Sequence, residues 1–229
     1  MRPVSAGYRI LRCVSTLPKN PHIYVFSNSS NSSYTYSLLP TSPPSQSLAV
    51  GTSDSNPPTP ASFRENHSFN KILQSVIRRN AIHDPYVQGQ AAAYASEAGA
   101  SLGSGGVFFP KNHPSQTSAK RRQYGGGGGA GGDGAGGASS QGGAGGAGRG
   151  GWIHVSDMRN PPDFGRIAWP EDIFGSLEVD GQGKFVGENG EYQETGTYRV
   201  CTNEGILGLS PYLREKLVEE LKNLEAGVR

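Results

Sequence analysis

Glu171 and Asp172 stand side by side in the most apolar part of the chain. Acid–base catalysis needs carboxyl groups that reach one substrate, and sequence neighbours rarely point at a common target. Trp169-Pro170-Glu171-Asp172 reads instead as a turn or short helical start, with proline at a first helical position and acids in an exposed first turn. His154 is the only histidine after residue 150 and has no companion at metal-ligand spacing. Asp180-Gly181-Gln182-Gly183 lacks the spaced carboxylates of a calcium loop. Ser176 and Ser210 have no base near them in sequence, and Ser210, just ahead of Pro211, is better used as a helix cap. The glycine tract 125–151 follows no strand and carries no Lys-Ser/Thr, so it is not a phosphate-binding loop. The two cysteines, Cys13 and Cys201, make neither a disulfide framework nor a metal spacing. Cys201 reads as a small buried hydrophobe on a strand. The expectation is a chain with no catalytic residues, no cofactor, no metal and no small-molecule substrate.

The elements that would carry these residues are legible mainly after residue 151. Trp152 to Pro162 reads as an extended lead-in. Leu177-Glu178-Val179-Asp180 alternates, Asp180 to Gly183 turns, and Lys184-Phe185-Val186 returns, which predicts a β-hairpin. Asn189-Gly190 is a second turn signal. Thr195 to Cys201 reads as a further strand, with Tyr198 and Val200 on one face, and Asn203-Glu204-Gly205 turns again. Ser210-Pro211 starts a helix in which Leu213, Leu217, Leu221 and Leu224 share a face. The predicted fold is α+β: a small antiparallel β-meander, about three strands, closed by a C-terminal helix. A long disordered Gly/Ser/Pro-rich region precedes it.

Composition supports that division. Apolar residues are 34% of the chain, below the roughly 45–50% of an average domain that also counts glycine. Glycine (34) and proline (16) make about a fifth of it and concentrate before Trp152, which argues against a packed core there. Charge divides at the same place. Up to Gly150 there are 13 Lys/Arg against 5 Asp/Glu, and afterwards 8 against 14. A basic arm thus precedes an acidic domain.

Residues 1–33 contain Arg2, Arg9, Arg12 and Lys19 and no acid, and the first acid is Asp54. This is the composition of a mitochondrial transit peptide, with Arg12-Cys13-Val14-Ser15 resembling a processing site. The localisation read from it is the mitochondrial matrix, with the plastid second. No apolar run reaches the roughly 18 residues of a membrane span. Residues 34–62, rich in Ser, Asn, Thr and Pro, are expected to be disordered. Residues 63–98 carry Phe69, Ile72, Leu73, Val76 and Ile77 at helical spacing, with Arg78 and Arg79 near the end of the run, and are expected to form an amphipathic helical segment that is transient or docks on a partner. Pro85 stops or bends it. Residues 99–151 read as a flexible glycine-rich linker, and 152–229 as the folded domain.

Two stretches, Ile167-Ala-Trp-Pro-Glu-Asp-Ile-Phe-Gly-Ser-Leu-Glu-Val-Asp-Gly and Thr195-Gly-Thr-Tyr-Arg-Val, resemble a C-terminal domain of plant and fungal proteins directed to mitochondria. The close, Gly205-Ile-Leu-Gly-Leu-Ser-Pro-Tyr-Leu-Arg-Glu-Lys-Leu-Val-Glu, is similar to that of the mitochondrion-specific small ribosomal subunit protein family, plant type. Ser210 and Pro211 adjoin here, a tighter spacing than the animal members have. The resemblance covers about 75 residues. It implies a non-catalytic component of the mitochondrial small ribosomal subunit whose partners are ribosomal proteins and rRNA. Candidate partner contacts are Trp169, Phe174, Tyr198 and Tyr212, and candidate RNA contacts are Lys120, Arg121 and Arg122. Two other classes fit the same residues: an organellar assembly factor or adaptor for a respiratory complex, and a glycine-rich RNA-binding protein. The latter is disfavoured by a single Arg149-Gly150-Gly151 and by the lack of an aromatic–basic recognition motif.

Overall fold

The computed structural model describes residues 14–28, 32–95, 150–162 and 166–228. The chain is α+β, with antiparallel sheets and a long helix at its end. It divides into two units, each assembled from separated segments. The first takes Met1–Leu73, Val200–Leu207 and Leu217–Arg229, and the second takes Gln74–Arg199 and Gly208–Lys216.

The first unit holds a five-stranded antiparallel sheet in the order β1-β2-β3-β4-β5: β1 Val14–Leu17, β2 Asn20–Asn28, β3 Ser33–Ser37, β4 Gly51–Ser53 and β5 Phe63–Glu65. Ile23, Val25, Phe26, Tyr36, Leu38, Leu39, Leu48, Val50, Phe69 and Leu73 are buried in it. Asn66 sets up the helix that follows, α1 (His67–Asn80). Its Oδ1 accepts from the Ser68 N–H at 3.0 Å, and its Nδ2 donates to the Gln46, Ser47 and Ala49 carbonyls at 2.7–3.1 Å. That is N-capping joined to a loop anchor. A short hairpin, β9 (Cys201–Thr202) with β10 (Gly205–Ile206), belongs to the same unit. Glu65 accepts from the Val200 N–H at 2.9 Å, and Asn20 donates to the Leu207 carbonyl at 2.7 Å. Cys201 is buried on its strand as expected.

Three expectations fail in this unit. Residues 34–62 are not disordered, because β3, β4 and their loops occupy them. Residues 1–33 are not wholly an address, because β1 and β2 lie within them, while 1–13 fall outside the described residues. The folded part is not confined to 152–229, since β1 to β5 precede it and group in one unit with Val200–Leu207 and the end of the last helix. The physical reason is local. Pro40, Pro43 and Pro44 sit between β3 and β4, and Pro57, Pro58 and Pro60 between β4 and β5, where no ladder N–H is required of them.

The second unit contains the rest of α1, a 3-10 turn at Ala81–His83, α2 (Pro85–Ala95), and a three-stranded antiparallel sheet in the order β6-β7-β8. Its strands are β6 Gly151–Ser156, β7 Ile173–Val179 and β8 Gln193–Glu194. Of the segment 63–98, residues 63–95 are therefore a strand and two helices with a 3-10 turn between them, 96–98 fall outside the described residues, and Pro85 opens α2. Phe69, Leu73, Val76 and Ile77 are buried along α1, while Arg78 and Arg79 are exposed. The lead-in at Trp152 is a paired strand. The Asp180 turn is present, with its carboxylate accepting from the Gln182 and Lys184 N–H groups at 2.8 and 2.9 Å and Gly183 at φ 77°. Its return limb makes only one bridge, Val179 to Phe185. Thr195 to Cys201 is not one strand: β8 ends before it and β9 begins at its last residue. Thr195, Thr197 and Tyr198 use their hydroxyls on Ile173, Pro170 and Asp157 instead, so the β-favouring composition serves side-chain bonding. The last helix, α3 (Pro211–Val228), starts where expected. Ser210 Oγ accepts from the Leu213 N–H at 3.1 Å, and Leu213, Leu217 and Leu221 are buried. Most of the linker 99–151 lies outside the described residues.

Candidate binding cleft

In the second unit, α2 and β6 line a cleft of about 350 Å³. That is within the usual size of ligand sites, roughly 300–1,000 Å³. Buried Val87, Tyr94, Ile153, Val155, Ala168 and Leu213 are among its lining residues. Exposed Tyr86 (53%) and Ile167 (44%) also line it. On α2 the contributors recur at helical spacing, as Tyr86, Gln90 and Ala93 with Val87 and Tyr94. On β6 they are five consecutive residues, Trp152 to Ser156.

Three polar side chains at the cleft, Asp84, Ser210 and His154, have hydrogen-bond partners. Asp84 is 1% exposed; its Oδ1 accepts from the Tyr86 N–H at 3.0 Å, and its Oδ2 accepts from Ser210 Oγ at 2.6 Å. One carboxylate thus caps α2 and ties it to the cap of α3. His154 Nδ1 lies 2.8 Å from Ser176 Oγ, and burial lowers its pKa, which keeps the imidazole neutral near pH 7. Packing between the walls is close: a Cβ on Gly151 would fall 2.1 Å from Tyr94 Oη.

Also in this unit, Arg159 holds two buried carboxylates. Its Nε donates to Asp172 Oδ1 at 2.7 Å and lies 3.8 Å from Asp157 Oδ2. One Nη donates to the Glu171 and Arg199 carbonyls at 2.9 and 2.7 Å. Asp157 accepts further from the Arg159 and Gly208 N–H groups and the Tyr198 hydroxyl at 2.8–2.9 Å. Burial pushes the Asp157 carboxyl up to about 6, against the opposing pull of Arg159 and these hydrogen bonds. Asp172 is therefore not an exposed helix-start acid; it is 1% exposed and paired.

None of the four candidate partner contacts lines the cleft. Trp169 is the most exposed of them, at 69%, and adjoins the lining residues Ile167 and Ala168. Phe174 is a correction: fully buried, its ring centroid 4.5 Å from that of Tyr198, it is a core residue and no surface contact. Tyr198 is half-buried and spends its hydroxyl on Asp157. Tyr212 is half-buried in the first turn of α3. Lys120, Arg121 and Arg122 lie outside the described residues. The sequence reading missed Tyr86, Tyr94 and Trp152 as cleft residues. The helical spacing on α2 was the available signal, but nothing in sequence joins it to a strand that begins at Gly151.

Among the described residues no group of three His, Cys, Asp or Glu could hold a metal, and no helix is long and apolar enough to cross a membrane. No family model, curated protein or solved structure matched the chain.

Proposed function

We propose that the protein is a non-catalytic structural component of the mitochondrial small ribosomal subunit, docking on protein neighbours through its second unit. The observation that carries the docking role is an apolar cleft whose acid is bonded to the Ser210 hydroxyl and whose imidazole is bonded to the Ser176 hydroxyl, beside exposed Ile167 and Trp169. Clustered exposed apolar groups of this kind mark interaction surfaces. The ribosomal placement rests on the resemblance of the two stretches and the close described above. The matrix address rests on the acid-free, arginine-bearing start. An address confined to the residues before Val14 would leave β1 and β2 intact.

The test is co-sedimentation of the tagged full chain with small subunits from lysed mitochondria. Wild type is expected in the small-subunit fractions, and Ile167→Glu with Trp169→Glu is expected to shift at least tenfold toward the free pool while unfolding at the wild-type midpoint. Sedimentation with a respiratory complex instead would favour the adaptor reading, and free protein in both cases would overturn the placement.

A further inference from the structure

The cleft beside α2 and β6 is apolar along its depth and charged at one point on its rim. Along α2, exposure falls from Tyr86 in the first turn to buried Tyr94 in the last. These lining residues stand 94 − 86 = 8 positions apart, about 12 Å at a rise of 1.5 Å per residue. At the Tyr94 end helix and strand touch directly, since a Cβ on Gly151 would meet the Tyr94 hydroxyl. The depth is lined by Val87, Ile153, Val155, Ala168 and Leu213, all buried. The cleft is therefore a blind groove. A ligand can enter from the exposed side, but no chain can run on between helix and strand.

Two of the lining residues carry a full charge, Asp84 and Arg166. Asp84 is buried, and its oxygens accept from the Tyr86 N–H and the Ser210 hydroxyl. It also faces the positive N-terminal end of the helix it caps. Arg166 is exposed, and among the described residues no ion pair or hydrogen bond engages it. His154 adds no charge, because burial keeps its imidazole neutral near pH 7.

These features define a complement. A guanidinium fork takes one carboxylate bidentately. An apolar depth favours a hydrocarbon body and penalises a polar one. The volume, about 350 Å³, is at the small end of ligand sites. Bonds of about 1.5 Å advance an extended alkyl chain by a little less than their length, so ~12 Å takes on the order of ten carbons.

We propose that the cleft binds a medium-chain carboxylate, its alkyl chain along α2 against Val87, Val155 and Leu213 and its head on Arg166. The inference goes beyond the docking role. Protein neighbours are met, in that reading, at exposed Ile167 and Trp169, whereas the carboxylate takes the buried depth.

The experiment titrates the full chain with decanoate, decanol and decylamine below their micellar concentrations. Fluorescence is followed in a Trp169→Phe background, which leaves Trp152, a lining residue, as the one tryptophan. Decanoate is expected to saturate a single site and to bind at least threefold more tightly than decanol or decylamine. Affinity should rise about fourfold per methylene from hexanoate and level off between decanoate and tetradecanoate. Arg166→Glu, an exposed change, should keep the unfolding midpoint, weaken decanoate at least fivefold and make decylamine the better ligand. Ala168→Leu, which fills part of the depth, should move the levelling-off to a shorter chain, whereas a merely destabilising change would weaken all lengths alike. Equal binding of the three head groups, indifferent to Arg166→Glu, overturns carboxylate recognition. Affinity that keeps rising through tetradecanoate reports adsorption to an apolar surface and overturns the site, as does the absence of saturable binding. Decanoate binding by a chain that does not co-sediment with small subunits sinks the ribosomal placement and leaves this site standing. Co-sedimentation without decanoate binding does the reverse.

Discussion

Around Ser53 in the first unit, hydroxyls bond to hydroxyls. Ser53 and Ser55 meet Ser62 at 2.8 Å each, and Thr59 meets it at 2.9 Å. Around Arg159 in the second, a guanidinium joins two buried carboxylates and two carbonyls, and one of the carboxylates accepts from a phenol. Both clusters hold a loop to a strand. They differ in what happens when a member is lost. A hydroxyl cluster stays neutral and re-forms its bonds by rotation. A charged cluster leaves an uncompensated ion behind. The contrast teaches that the second unit is the brittle, pH-sensitive one, and the first is tolerant.

The largest effect should come from Arg159→Met. It strands Asp157 and Asp172, whose side chains are 0% and 1% exposed, and the expected cost is about 3–5 kcal/mol. Both tryptophans of the chain, Trp152 and Trp169, lie in the second unit, so denaturant unfolding followed by their fluorescence reads it directly. A loss below about 1 kcal/mol would erase the contrast.

A smaller effect should follow from pH. The Asp157 carboxyl lies at about 6 in the fold against 3.8 unperturbed, so the folded state holds its proton to higher pH than the unfolded chain does. Its contribution is then full below about pH 4 and lost as pH rises through 6, a decline of about 1–3 kcal/mol. The same fluorescence measurement at pH 4, 5, 6 and 7 checks this, and Asp157→Asn should flatten the slope. Stability rising over that interval by this group would reverse the sign of the argument.

The smallest effect belongs to Ser62→Ala, at about 1 kcal/mol, the net worth of a modest hydrogen-bond set. Hydrogen exchange of peptides covering 51–65 should show faster opening of β4 and β5, equally at pH-corrected rates from 5 to 7. A pH-dependent difference would mean that the hydroxyl cluster is coupled to a titrating group after all.

How much of this was legible in sequence follows from the kind of signal each part leaves. The helical repeat of Phe69, Leu73, Val76 and Ile77 survives as α1, and Ser210-Pro211 marks the start of α3, because both rest on local rules. The first sheet was hidden by composition. β3 reads Ser-Tyr-Thr-Tyr-Ser, and its buried members Thr35, Tyr36 and Ser37 carry no apolar alternation. Its core comes from short clusters, Ile23 to Phe26, Leu38-Leu39 and Leu48 to Val50, which an average over the segment dilutes. The Arg159 cluster was invisible because Asp172 is 13 residues from its partner, with a proline pair between. The cleft was half visible: its helix stripe had a period, but no local signal joins that stripe to β6, the other wall.

The first unit begins near the start of the chain and is completed by Val200–Leu207 and Leu217–Arg229. A polypeptide made from its N-terminus at roughly 5–20 residues per second releases β1 to β5 several seconds, or tens of seconds, before the backbone N–H of Val200 exists to meet Glu65. During that interval the nascent sheet is short of its closing segments, and its apolar clusters are exposed to whatever else is nearby. Loss of Val200–Leu207 or of Leu217–Val228 therefore strikes a unit whose sheet is synthesised more than a hundred residues earlier.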